Sequence, residues 1–340
     1  MCMKKQYQKL SGVSCLAAGI LLASVNIQAD VPSLHYEING KDFIITYTGI
    51  LYSSSDAVIW TEVKSASSLY KVQTGNKKQF FCAKGESENK DFTIPLSDTV
   101  SLDMIWINPG TFLMGSPDGE LGKYDDETQH EVTLTKGYWL AKYEVTQAQY
   151  EAVMNANPSS FKGADLPVEQ VSWYDATNFC AKLTAIEKDA GRLPVGYEYT
   201  LPTEAQWEYA CRAGTTTALN SGKNLSNKEE CPEMDEVGWY AYNSGEKTHP
   251  VGQKLPNAWG LYDMHGNVEE WCLDGYKESY PSSPVVDPVG PATARYRVMR
   301  SGDSSWYGIA ASCRSAYRNC DTPDDIAWYI GFRVALAQVQ

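Results

Sequence analysis

From Met104 to Leu336 the chain announces only three helices, and this scarcity constrains its fold more than any other feature. Each helix is opened by a side chain able to cap it and a partner three residues on: Thr146 with Gln149, Ser172 with Asp175, and Thr203 with Gln206. The spacing predicts helices over about 147–154, from Ser172 onward, and from Thr203 to near Gly214. In the second, Trp173, Ala176, Cys180 and Leu183 recur at helical spacing, so one face is buried. The rest of this stretch reads as short strands, Gly and Pro turns, and Trp residues. A chain built this way needs staples other than regular secondary structure.

The remaining organisation is read from composition. Lys4, Lys5 and Lys9 precede an apolar run from Leu10 to Val25, and a small residue, Ala29, stands before Asp30. The run is short for a membrane span, so residues 1–29 read as a cleaved signal peptide and the chain as exported, periplasmic or extracellular, with no membrane span after cleavage. Cleavage removes three Lys and no acid, which deepens a net charge that is already −13 over 340 residues. So acidic a surface repels nucleic acid. Residues 30–101 read as a small all-β module, with strands over Phe43–Thr48 and Val58–Val63 and further extended pieces at Tyr70–Val72 and Gln79–Phe81. Residues 102–340 form the large domain.

Four His, at 35, 130, 249 and 265, show no ligand spacing, and there is no Cys-x-x-Cys, phosphate loop or nucleophile elbow. Seven cysteines remain after Cys2 and Cys15 leave with the signal: Cys82, Cys180, Cys211, Cys231, Cys272, Cys313 and Cys320. Export permits disulfides, and an odd number leaves at least one thiol unpaired within the chain.

Six stretches carry a resemblance. They are Met104–Gly115, Lys142–Tyr150, Leu166–Trp173, Leu201–Ala210, Gly260–Trp271 and Gly331–Val334. In this order they resemble the formylglycine-generating enzyme family, also called sulfatase-modifying factor. The resemblance implies an α+β, irregular, loop-rich domain of C-type lectin-like fold, here preceded by the small β module.

It also implies a structural calcium ion held by Asp263, Gly266, Val268 and Glu270, two carboxylates and two backbone carbonyls suited to a hard cation. The plainer alternative makes Glu270 a salt-bridge partner and Asp263 a turn residue. Glu269 departs from the family, which usually has Trp there. The family's oxidase reaction turns a substrate Cys into formylglycine and depends on two cysteines, five apart, that bind copper(I). Counting back from Thr322-Pro323-Asp324, those positions are Ser305 and Ala310. A hydroxyl and a methyl do not hold copper(I), so no catalytic residue is assigned. Whether activity of any kind survives is left open by the sequence.

The family's structural pairing points to a disulfide between Cys211 and Cys313, although the family's own second position lies two residues further on. Cys180 then reads as a buried free thiol. What survives of the family's groove is Ser305, Trp306, Tyr307 and Arg314, with Arg318 read as structural. The leading expectation is a non-oxidase relative that binds an extended peptide or protein ligand or acts as a surface module. The alternatives are an active formylglycine-generating oxidase and a lectin-like recognition protein.

Overall fold

The computed structural model describes residues 91–305 and 307–339 in full, and within residues 1–90 the backbone of several strands. The chain divides into two units, Met1–Asn89 and Lys90–Gln340. In the first, Asp42–Tyr47 pairs antiparallel with Leu34–Asn39 and with Leu69–Val72, and Ile50–Ser54 pairs with Gln79–Lys84. Ile20–Val25 pairs with both Val13–Ala17 and Gln79–Lys84; cleavage after Ala29 would remove Val13–Ala17 and Ile20–Val25. Of the stretch Val58–Val63 only Thr61–Glu62 is described as strand. The side chain of Cys82 lies outside the described residues.

Residues 92–101, grouped by the sequence with the β module, belong structurally to the second unit. Strand Phe92–Pro95 pairs with Ser101–Ile107, the first strand of the large domain. This hairpin begins a five-stranded antiparallel sheet that continues through Tyr138–Ala141, Ala335–Gln338 and Tyr197–Thr200. The start and the end of the unit thus meet in one sheet, with Trp139 opposite Leu336. A second sheet orders Asn319–Asp321, Arg297–Arg300, Glu269–Gly275 and Ile330–Gly331; a third orders Gly110–Met114, His130–Leu134 and Val285–Val286.

The first two of these sheets lie between two cores, and a third core packs around Tyr240 and Cys313. Side chains alternate across a strand, and here both faces are covered: Tyr138 and Leu140 enter one core while Trp139 and Ala141 enter the other. Trp271 and Cys272 divide in the same way, as do Val298 and Met299. This explains why Tyr138–Ala141 is an unbroken apolar run. The three capping boxes form as the sequence predicts, opening α1 (Gln147–Met154), α2 (Trp173–Asp189) and α3 (Glu204–Arg212). Helix α3 ends at Ala213 in a left-handed conformation, just before Gly214. Tyr150 of α1 stacks on Phe179 of α2, and Phe179 meets Phe332 edge-on.

Tryptophans act as the staples. Trp207 and Trp271 are fully buried, and their indole N–H groups donate to Glu270 Oε2 at 2.7 Å and to the Val171 carbonyl at 3.0 Å. Burying an indole costs little when its polar edge is paired. Among the described residues no helix is long and apolar enough to cross a membrane.

Candidate functional site

The segment matching the family's catalytic region leaves the second sheet after Arg300. Ser301 and Gly302 both have positive φ, 85° and 69°. A Cβ on Gly302 would lie 2.4 Å from the Ser312 carbonyl oxygen and 2.6 Å from Cys313 Sγ, so glycine is required there. Ser301 is held in the left-handed region by hydrogen bonds: Gly266 N donates to its carbonyl at 2.8 Å, and its hydroxyl donates to the Gly266 carbonyl at 3.2 Å. Asp303 Oδ1 then accepts from Ser305 N at 2.5 Å. A 3-10 turn over Ala310–Cys313 returns the chain to the interior.

Ser305 and Ala310 are both buried, the latter packed with Leu219, Met234, Val237 and Tyr240. Tyr307 is the opposite, 82% exposed on a turn whose backbone is fixed by Ser305 and Ser312. Trp306 lies outside the described residues. Burial pushes the Cys313 thiol well above its ordinary range, with Asp303 adding to the effect, and raises Cys320 to about 11. Neither is poised as a thiolate.

Arg314 was expected to line a substrate groove. Its guanidinium is instead fully buried and engaged on every side: Nη1 donates to Glu120 and Glu127 at 2.6 and 2.9 Å, Nη2 to Glu127 and the Gly122 carbonyl, and Nε to the Ala311 carbonyl. It ties the 117–127 loop to the turn and presents no donor to a ligand. Arg318 is structural, as the sequence suggested, gripping both oxygens of Glu204 at 2.7 and 3.0 Å.

The expected disulfide is absent. Cys211 and Cys313 are both free and buried. Cys211 Sγ lies 3.5 Å from Ser315 Oγ and 3.6 Å from the Met264 carbonyl, while Cys313 packs under Gly302 and its carbonyl meets His265 Nδ1 at 2.7 Å. The residue opposite Cys211 is therefore Ser315, two positions beyond the expected partner. Cys180 is a buried free thiol.

The calcium candidates gather around a buried charge cluster. Glu270 accepts from Arg333 through both oxygens at 2.7 Å, and from Trp207. Asp263, at φ 54°, accepts from Gly252 N through Oδ2 at 2.7 Å. Glu270 is thus an ion-pair partner of Arg333, and Asp263 takes a left-handed backbone conformation. Asp263 Oδ1, however, is buried with no hydrogen-bond partner. A third carboxylate, Glu144, joins them, accepting from Asn267 Nδ2 at 2.7 Å and Val268 N at 3.1 Å. Burial, then Asp263 and Glu270, push Glu144 well above the usual carboxylate range; burial raises Asp263 to about 6. Arg333 lies among these three acids, Lys254 also acts on Asp263, and Asp263 Oδ1 is the hard oxygen left without a partner. Among the described residues no group of three or more His, Cys, Asp or Glu side chains is placed to hold a metal ion. Glu144 was not singled out in the sequence, although it stands within the stretch Lys142–Tyr150 that carries the resemblance.

A second network also went unread. Arg300, fully buried, donates to Glu204 at 2.9 Å and Glu208 at 2.8 Å, and Glu208 accepts from Arg212 at 2.8 Å. Burial opposes ionisation of Glu204, yet Arg318 and Arg300 hold it down at about 2. Glu269, the departure from the family's Trp, is buried with Oε1 accepting from Asn319 at 2.6 Å; burial, then Asp303, raises it to about 8.

Comparison with known proteins places these features. The sulfatase-modifying factor enzyme 1-like domain matches residues 95–338. Chaperone protein LppX of Paenibacillus barcinonensis is 33% identical over 228 residues, 55% of this chain and 75% of that protein. The formylglycine-generating enzyme of Bos taurus is 28% identical over 293 residues, 68% of this chain and 74% of that protein. Among solved structures, Treponema denticola variable protein 1 superposes with a TM-score of 0.63 at 32% identity, covering 72% of this chain and 98% of that one. PvdO from Pseudomonas aeruginosa gives 0.60 at 28% identity, covering 73% and 98%.

Proposed function

Because this chain belongs to the sulfatase-modifying factor enzyme 1-like family, we propose that it is an exported, non-oxidase member that binds an extended peptide or protein ligand on the face around Ser305 and Tyr307. One observation carries the reading. The ungapped count from Thr322 puts Ser305 and Ala310 at the oxidase thiol positions, both are buried, and burial raises the thiol of Cys313, the next cysteine in the chain, well above its ordinary range. A thiol that does not ionise is a poor ligand for copper(I).

Tyr307 supplies the binding element. It is a large aromatic held outward on a hydrogen-bonded turn, so little ordering is needed when a partner covers it. The relatives agree with a family of several roles, since their names include a chaperone and a variable protein besides formylglycine-generating enzymes. Export is supported by the basic and apolar N-terminal residues.

Calcium completes the proposal as a structural ion. Asp263 and Glu270 would hold it through carboxylate oxygens and Gly266 and Val268 through their carbonyls. It would neutralise the excess of acid around Glu144 and fix the 263–270 loop to which Ser301 is hydrogen-bonded.

The test is chemical. Purified protein is incubated with copper(I), oxygen and a peptide carrying the Cys-x-Pro-x-Arg motif, and the peptide is weighed by mass spectrometry. The expected result is an unchanged Cys. A loss of about 18 mass units, the signature of thiol oxidation to the aldehyde, would replace this reading with that of an active formylglycine-generating oxidase.

A further inference from the structure

A cavity of about 490 Å³ lies among strand His130–Leu134, the first turn of α3 and a strap over residues 277–291. Its volume falls in the range of small-molecule sites, roughly 300–1,000 Å³. The strap is built in. Val285 and Val286 pair in parallel with Val132 and Thr133, Asp287 accepts from Thr135 N at 2.8 Å, and Gly290 N donates to Asp274 at 2.6 Å.

The walls are mostly apolar: Met114, Pro281, Val285, Pro288 and Val289. One side is a stack of flat groups, with the Arg318 guanidinium 4.0 Å from the Tyr280 ring centroid and His130 4.8 Å from it. The acids that line the cavity are already engaged. Glu204 accepts from Arg300, Arg318 and Tyr280, and Asp274 accepts from Glu204 N and Gly290 N.

His130 differs from them. The residue is only 5% exposed, and Nδ1 lies 3.1 Å from the Thr128 carbonyl. A carbonyl only accepts, so Nδ1 donates, and in the neutral ring Nε2 is then an acceptor to which no group of the chain is hydrogen-bonded. An acceptor on the wall of an apolar, flat-sided cavity suits a ligand that brings a flat ring and one donor.

We propose that this cavity binds a phenolic ring, the ring lying against Tyr280 and the strap prolines and its hydroxyl donating to His130 Nε2. The ring could arrive as a free phenol or as the tyrosine side chain of a peptide, since both present the same chemistry.

Titration of the full chain with 4-methylphenol and with 4-methylanisole, which lacks the donor, tests this. The phenol is expected to bind about two- to tenfold more tightly, the worth of one hydrogen bond. In His130→Phe, which keeps a ring on Tyr280, the ratio is expected to fall to about one. Val289→Trp, at a half-exposed strap position, fills the cavity and is expected to abolish binding of both while the melting temperature is kept. Equal affinities in the unaltered protein, binding of neither probe, or undiminished binding in Val289→Trp would overturn the proposal. The ratio in the unaltered protein decides the matter even if His130→Phe does not fold. A parallel titration with N-acetyl-tyrosinamide and N-acetyl-phenylalaninamide separates the sources: a matching preference there supports a peptide side chain, and its absence beside phenol binding supports a free small molecule.

Discussion

The thiol of Cys211 faces the hydroxyl of Ser315 at 3.5 Å, both in the interior between α3 and the turn after Cys313. A single atom change would therefore put two sulfurs in reach of each other. Ser315→Cys is expected to form a disulfide with Cys211 under oxidising conditions. Closing so long a loop stabilises by about 2–4 kcal/mol. The check is a higher melting temperature that dithiothreitol reverses, together with two fewer titratable thiols than the reduced variant shows. A melting temperature indifferent to reductant would mean that the two side chains do not meet as described.

This pair also shows what could be read from the sequence. The capping boxes of α1, α2 and α3 were legible because each is settled within four residues. Burial of Cys180 followed from spacing along one helix. The pairing across the fold did not follow, because the position opposite Cys211 carries Ser315 and the thiol taken in its place, Cys313, lies two residues short of it. The buried ion pairs were hidden for the same reason: Arg300 meets Glu208 across 92 residues, and Arg314 meets Glu127 across 187. An isolated Arg in a sequence reads equally well as ligand contact or as strut, and only the fold chooses.

Glu269 gives a pH prediction. Its folded value near 8 lies above the ordinary carboxylate value near 4.3, so the native state holds a proton that the unfolded state releases. Stability from this group is then fully present below about pH 4 and is lost as pH rises toward 8. Asp303, whose charge adds to the rise of Glu269, is itself raised by burial. Glu269→Gln keeps the acceptor for Asn319 and removes the ionisation. The variant is expected to match the parent at pH 5 and to exceed it at pH 9 by at least about 1 kcal/mol in urea unfolding. Parallel pH profiles for the two proteins would count against a buried, protonated Glu269.

Asp263 gives the calcium prediction. With Glu144 and Glu270 beside it and Oδ1 unpartnered, a bound calcium ion would stabilise the folded state by mass action, about 2.7 kcal/mol at one hundred times its dissociation constant. The melting temperature of the parent protein is expected to rise with calcium and to fall again with a chelator. Asp263→Ala is expected to lose that response. It also relieves repulsion on Glu144, so in chelator the variant gives up less stability than it does in calcium. Identical melting curves of the parent with and without chelator would rule the ion out.

Arg314 and Tyr307 separate structure from recognition. Arg314 is fully buried between Glu120 and Glu127, so Arg314→Ala leaves two carboxylates without their cation in the interior. Removing one partner of a buried ion pair costs about 3–5 kcal/mol. The variant is expected to unfold at markedly lower urea concentration. Tyr307 is exposed at 82%, and its contacts are made by its backbone. Tyr307→Ala is therefore expected to stay within about 0.5 kcal/mol of the parent. Both are measured by urea unfolding of the same preparation. If Arg314→Ala were as stable as the parent, its guanidinium would be free of the two Glu carboxylates and available to the cleft after all. If Tyr307→Ala were strongly destabilised, Tyr307 would be part of the packed interior and the face proposed for ligand binding would lose its anchor.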